Sequence, residues 1–334
     1  MKVADYWKRE NGNVRCLLCP NLCLLNEGEW GDCRNRKMID GKLYSMVYGE
    51  PCAINTDPIE KKPLYHFLPG ATAFSIGTAG CNLACKNCQN YGISQVTPEE
   101  TSNYDLFPEK AVEFAEQHEA KVMAYTYTEP VTFAEYVIDT AKIAHEKGLR
   151  NAFISSGYIN RKPLSDLAEV IDAANIDLKS FDNKVYKKLN AGRLNTILNT
   201  IETLSEKGVW LELTYLIVPD WSSDDDMIRD MCRWMVDKGM QDVPLHFSRF
   251  FPVYKLPDTP PTPRQKMMRA WDIAKEEGLN YVFLGNISGT KREHSYCPKC
   301  GTLVIKRGGF SVEEFHIDEG RCPHCNNPLA GVWQ

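Results

Sequence analysis

The sequence has 334 residues, 43% of them hydrophobic and 25% charged, with a net charge of −5 at pH 7. That length suits about two domains, or one α/β barrel of ~250 residues with small appendages, and the composition excludes a disordered, collagenous or coiled-coil chain. The acidic balance argues against a broadly basic nucleic-acid surface. No apolar run approaches the ~18 residues of a membrane span, and the opening MKVADYWKRENGN lacks a signal peptide's apolar stretch, so a cytoplasmic protein is expected.

In chain order, residues 1–70 carry one cysteine cluster and then a Gly/Pro-punctuated stretch, which reads as short hairpins and loops. From residue 71 to 290 the pattern changes. Predicted strands at 73–78, 121–127, 151–156, 175–180, 211–218, 244–250 and 281–285 alternate with amphipathic helices at 109–119, 131–147, 164–173, 196–207, 223–238 and 264–276. Glycines after Glu-Lys, at 148 and 208, stop two of the helices. Repeated βα units imply a parallel sheet curled by right-handed crossovers into a partial to full (β/α) barrel. Residues 291–334 form a Cys-rich tail. In such a sheet the functional groups gather at the carboxyl ends of the strands.

Thirteen cysteines are the most informative feature. They fall into Cys16, Cys19, Cys23 and Cys33; Cys81, Cys85 and Cys88; Cys297, Cys300, Cys322 and Cys325; and the separate Cys52 and Cys232. Tight Cys-x-x-Cys spacing without a secretion signal points to metal binding rather than to disulfides. The central set lies in GTAGCNLACKNCQN, directly after the first predicted strand. A structural zinc takes four protein ligands, so three thiolates alone make an incomplete zinc site, whereas an iron–sulfur cluster on three thiolates keeps one iron open.

Cys81-x3-Cys85-x2-Cys88 is the spacing of the radical S-adenosylmethionine (radical SAM) superfamily. The chain resembles radical SAM enzymes of the pyruvate formate-lyase activating type and, more narrowly, the AmmeMemoRadiSam system proteins. The likeness runs through CLLCPNLCLLNEGEWGDCRNR, YTYTEP, IDLKSF, VPDWSSDDD, PLHFSRFFP and the YCPKCG…RCPHC tail. It implies the radical SAM barrel, a [4Fe–4S] cluster on Cys81, Cys85 and Cys88, and S-adenosylmethionine bound at its open iron. Asn87 stands where the superfamily commonly has an aromatic residue beside the adenine.

Thr128-Glu129-Pro130 takes the place of the family's Gly-Gly-Glu-Pro motif, which holds the methionyl amino group; a carboxylate opposite an ammonium suits that task. Thr128 is also a candidate helix cap. Ser156, with Ser155 and Gly157, could line the ribose or merely turn the chain. Asp177 and Lys179 alternate along one predicted strand and so face one side, either as cofactor contacts or as a buried ion pair. His246 resembles the late-strand histidine that contacts the cofactor in activating enzymes. Asp224, Asp225 and Asp226 read as a capped, acidic helix start.

Cys297, Cys300, Cys322 and Cys325 suit a closed zinc ribbon, with a tail too small to fold without its metal. The four N-terminal cysteines allow either Zn2+ or a second Fe–S cluster. The resulting expectation is an enzyme that cleaves S-adenosylmethionine to a 5′-deoxyadenosyl radical. Its electrons would come from a flavodoxin- or ferredoxin-like donor, and its substrate would be a protein glycine or a small molecule. The narrower resemblance implies Memo-type or AMMECR-type pathway proteins as partners. The rivals are a non-catalytic Fe–S/zinc scaffold and an RNA-modifying radical enzyme.

Overall fold

The computed structural model describes residues 1–333. At its centre lies one sheet of eight strands: β1 (Ala53–Pro58), β2 (Thr72–Gly77), β3 (Val122–Tyr125), β4 (Arg150–Ser155), β5 (Ala173–Asp177), β6 (Trp210–Ile217), β7 (Leu245–Arg249) and β8 (Val282–Gly285). They lie side by side in chain order, and among the described residues β1 and β8 do not pair, so the barrel is partial. β1 runs antiparallel to β2, and every later neighbour pair is parallel.

Parallel neighbours require crossovers, and helices supply them. They are α1 (Pro108–Gln117), α2 (Ala134–Glu146), α3 (Arg161–Leu167), α4 (Leu194–Glu206), α5 (Asp225–Asp237) and α6 (Arg264–Glu276). α4 shows why these segments fold so: Ile197, Ile201 and Leu204 recur at helical spacing and are buried, with Glu202 and Glu206 on the wet side. Gly148 and Gly208 follow α2 and α4 with φ of 77° and 76°, the left-handed turn that ends a helix at little cost to glycine.

One end of the barrel is closed by the chain itself. Ala73, Ala124, Ala152 and Ala173 keep that part of the lumen free of bulk, and Ile59, Leu64 and Phe67 from the β1–β2 connection fill it. Each of those side chains contributes about 1.5–3 kcal/mol by leaving water. The C-terminal tail, a three-stranded antiparallel sheet (Ser295–Tyr296, Leu303–Gly308 and Ser311–Phe315), is fastened to this plug. Leu68 donates to the Val332 carbonyl and Val332 to that of His66, each at 2.7 Å, while buried Arg307 donates to the Tyr65 carbonyl at 2.6 Å.

The N-terminal cysteine segment forms two small antiparallel sheets. It is anchored on α2 by buried Arg36, whose guanidinium meets the Glu135 carboxylate in a two-pronged pair. Residues 53–70, read in the sequence as part of that segment, are built into the barrel as β1 and the plug.

Candidate active site

β2 delivers the chain, through Thr78-Ala79-Gly80, to a loop carrying Cys81, Cys85 and Cys88. The three cysteines are free, and each sulfur has a partner from outside the set. The Leu83 amide donates to Cys81 Sγ at 3.4 Å, the Asn190 side-chain amide to Cys85 Sγ at 3.2 Å, and the Ser94 hydroxyl lies 3.2 Å from Cys88 Sγ. Asn190 ends a π-helical turn, Tyr186–Asn190, that also pins the loop: the amides of Ala84 and Lys86 donate to the carbonyls of Asn190 and Leu189. Burial pushes the thiols of Cys81 and Cys85 up, so a metal bound there displaces their protons.

Beside these sulfurs opens a cavity of about 350 Å3. Its walls include Thr128, Glu129, Ser155, Ser156, Asp177 and Lys179, so eight of the residues singled out in the sequence for this site (the three cysteines, Thr128, Glu129, Ser156, Asp177 and Lys179) meet there.

Glu129 is buried and fully engaged. It accepts from the Ser155 hydroxyl at 2.5 Å, from the Ser156 amide at 2.9 Å and hydroxyl, and from the Val131 amide at 3.2 Å. Burial raises its pKa, and these hydrogen bonds oppose that rise without cancelling it. The cap of the turn at Pro130–Phe133 is therefore Glu129 itself rather than Thr128, whose hydroxyl donates to the Thr78 carbonyl at 2.8 Å and ties the motif to the top of β2.

Tyr127, where the resemblance has glycine, adopts φ 69°. This left-handed turn ends β3 at Tyr125, two residues earlier than its composition suggests. Tyr127 also accepts at its carbonyl from Asn90 of the cysteine loop, and its ring lies under the Lys62 ammonium at 4.9 Å.

β5 ends at Asp177, so Lys179 lies just beyond the strand; still, its ammonium reaches Asp177 at 2.8 Å. Burial works to lower the Lys179 pKa, but Asp177 and the nearby Cys85 outweigh it and hold the ammonium charged.

His246 is not brought to the cavity, and its expected place there is corrected by the register of β7. Ser248, two residues on along the same face, lines the cavity. His246 sits a layer below, 2.6 Å from buried Glu212 and packed between Tyr65 and Phe283 at the plug. Glu212 also accepts the amides of Tyr65 and His66 at 2.9 and 2.7 Å, which explains why a carboxylate is stable there.

Sequence reasoning missed Lys61 and Lys62, which reach the rim from the β1–β2 connection, and Asn190 on its turn. Ser248 was within reach, by counting two along β7.

In the tail, Cys297 and Cys325 have sulfurs 3.6 Å apart, and Cys300 and Cys322 3.7 Å apart. Among the described residues this is the one set of three or more Cys, His, Asp or Glu whose ligand atoms all come within 4.8 Å of one another.

The Radical SAM superfamily model matches residues 75–235. An uncharacterized protein of Methanocaldococcus jannaschii is 41% identical over 326 residues, 97% of either chain. The pyruvate formate-lyase 1-activating enzyme of Escherichia coli (strain K12) is 25% identical over 224 residues, 61% of this chain and 89% of that enzyme. Among solved structures, Streptococcus suis SuiB bound to S-adenosylmethionine aligns with a TM-score of 0.51, over 69% of this chain and 53% of its own. At 11% identity that likeness is one of fold.

Proposed function

Because residues 75–235 match the Radical SAM superfamily model, we propose that the chain is an enzyme that cleaves S-adenosylmethionine reductively and takes a hydrogen atom from a substrate. The observation that carries this reading is the meeting of Cys81, Cys85 and Cys88 with buried Glu129 at one cavity. The donor set fits a [4Fe–4S] cluster, since three thiolates with outside hydrogen bonds leave a fourth position to a ligand in the cavity. Held by Cys81, Cys85 and Cys88, such a cluster would supply the single electron for reductive cleavage of the sulfonium.

The chain's own residues orient and shield. Glu129, held by Ser155, Ser156 and Val131, fixes a negative charge at the cavity wall that attracts the methionyl ammonium, with no side chain left to reorganise. Lys179 keeps a positive charge for a carboxylate on the cofactor or the substrate. Thr128 braces the loop, and Leu83, Ile154 and Leu216 keep water from the apolar part of the cavity. His246 serves the plug instead. Similarity to the activating enzyme supports a glycine in a partner protein as substrate, with a small molecule as the alternative. The likeness to AmmeMemoRadiSam proteins supports Memo-type or AMMECR-type partners. The electron donor would be flavodoxin- or ferredoxin-like, and a reducing cytoplasm would suit cysteines that form no disulfides.

In the tail, sulfur separations of 3.6 and 3.7 Å approach the ~3.8 Å of a thiolate tetrahedron around zinc, and we assign a structural Zn2+ there.

The test is anaerobic reconstitution, reduction with dithionite and chromatography for 5′-deoxyadenosine, with Cys81→Ala as control. Production by the wild type and none by the variant is expected. No 5′-deoxyadenosine from protein with a fully assembled cluster, with candidate substrates present, would leave the scaffold reading in its place.

A further inference from the structure

We propose that Cys16, Cys19, Cys23 and Cys33 bind a second iron–sulfur cluster, a cubane on four thiolates, which hands single electrons to the loop of Cys81. The destination of the electron rests on the radical reading above; the site itself does not.

All four cysteines are free and border one void of about 10 Å3, together with Arg36, Asn82 and Thr132. A single zinc leaves no such space, because thiolates ~2.3 Å from one ion meet almost sulfur to sulfur. Two of the three cysteine sets also differ from the third in spacing. The tail sulfurs lie within 4.8 Å of one another, whereas among the described residues no three sulfurs of the N-terminal set do, nor do those of Cys81, Cys85 and Cys88. The N-terminal set thus resembles the cluster loop and not the tail. A cubane, whose irons stand between its thiolates, requires that wider frame.

The frame is rigid. The Cys16 amide donates to the Cys23 carbonyl at 2.9 Å, and the Leu22 amide to that of Cys19 at 3.2 Å. Leu22 and Arg34 hold left-handed turns, with φ of 48° and 66°. Backbone amides of Leu18, Asn21 and Asp32 favour the thiolates of Cys16, Cys19 and Cys23, and those of Asn35 and Arg36 that of Cys33, against the burial that raises all four thiols. Such N–H groups are what stabilise the thiolates of an iron–sulfur cluster.

The site also has a direction. Cys33 is buried against the radical loop, and its carbonyl accepts the Cys81 amide at 3.1 Å. Asn35 donates to the Ala79 carbonyl at 3.0 Å, and Asn21 to that of Asn82 at 3.1 Å. Cys23, unlike the other three, is only partly buried, which makes it the solvent side of the set. One electron arrives on that side from a reduced flavodoxin- or ferredoxin-class protein, taking the N-terminal cluster from 2+ to 1+. The same electron leaves across the Cys33–Cys81 junction, restoring 2+, and no atoms move.

The test uses anaerobically reconstituted full-length protein. Iron and zinc are counted, and electron paramagnetic resonance is recorded on dithionite-reduced samples with and without S-adenosylmethionine. The wild type is expected to hold about eight irons and about one zinc per chain. Cys19→Ala should retain about four irons and only the signal that S-adenosylmethionine perturbs; Cys81→Ala should retain only an insensitive signal. In Cys19→Ala, 5′-deoxyadenosine formation driven by flavodoxin should be lost while formation driven by dithionite persists. About four irons and about two zincs in the wild type would overturn the site, and that count stands even if the variants fail to fold. Eight irons with no 5′-deoxyadenosine from dithionite would support the site while overturning the radical reading and the relay with it.

Discussion

Gly80 has φ 92°, and a Cβ built there would lie 2.2 Å from the Cys33 carbonyl oxygen. Backbone occupies that space, so no rotamer change can relieve the clash. Gly80→Ala should therefore push the N-terminal segment off the cysteine loop, with most of the iron at Cys81, Cys85 and Cys88 lost by metal analysis. Gly92, with nothing within 4 Å of its built Cβ, is the control, and Gly92→Ala should stay within about 0.5 kcal/mol of wild type by thermal melting. Glu129 was legible as a site residue because a carboxylate before proline sits where a βα sheet gathers function. Glu129→Gln keeps the shape and removes the charge proposed to attract the methionyl ammonium, and should weaken S-adenosylmethionine binding by about tenfold in equilibrium dialysis. His246 carried a residue-type signal as well, but only the register of β7 against β6, with His246 opposite Thr214 and Glu212 one layer down, decides which end of the lumen it serves.

The six crossover helices announce themselves by periodicity, as α4 does, and the parallel strands by short apolar runs between them. Elements whose reason lies elsewhere in the chain do not. β1 reads AINTDP, without apolar alternation, and is a strand only because β2 offers it an open edge. β3 stops at Tyr125 because Tyr127 must turn left-handed to set Glu129 into the cavity, a conformation that costs a non-glycine residue on the order of 1 kcal/mol. The start of α5 is the contrary case: Asp224 was legible as a cap, and its carboxylate accepts the Met227 amide at 2.9 Å. Asp224→Ala should cost about 1 kcal/mol, a drop of roughly 2 °C in melting temperature, with no effect on iron content.

Across the whole molecule, the plug couples the barrel to the tail, and His66 is the joint. Its ring nitrogens lie 2.8 Å from the Ala330 carbonyl and 2.8 Å from the Ser295 hydroxyl, an arrangement suited to a neutral ring that donates to one and accepts from the other. Burial lowers its pKa to about 4, against about 6.5 in the unfolded chain. Between those values the unfolded chain binds a proton that the folded one refuses. Its contribution to stability is therefore complete above pH 6.5 and lost as pH falls toward 4, on the order of 3 kcal/mol in all. His66→Gln can make the same two hydrogen bonds without titrating, and its melting temperature should fall less steeply than wild type over pH 6.5 to 4.

The sequence by itself determined the βα order of the barrel, the place of the three-cysteine loop after its first parallel strand, and the acid that follows the second, because periodicity and ligand spacing are local properties. Tertiary structure decided what closes the barrel, where His246 points, that Lys61 and Lys62 reach the cavity rim, and that Cys33 lies against Cys81. Each of those depends on segments far apart in the chain packing into one lumen or onto one loop, and no local pattern encodes such a meeting.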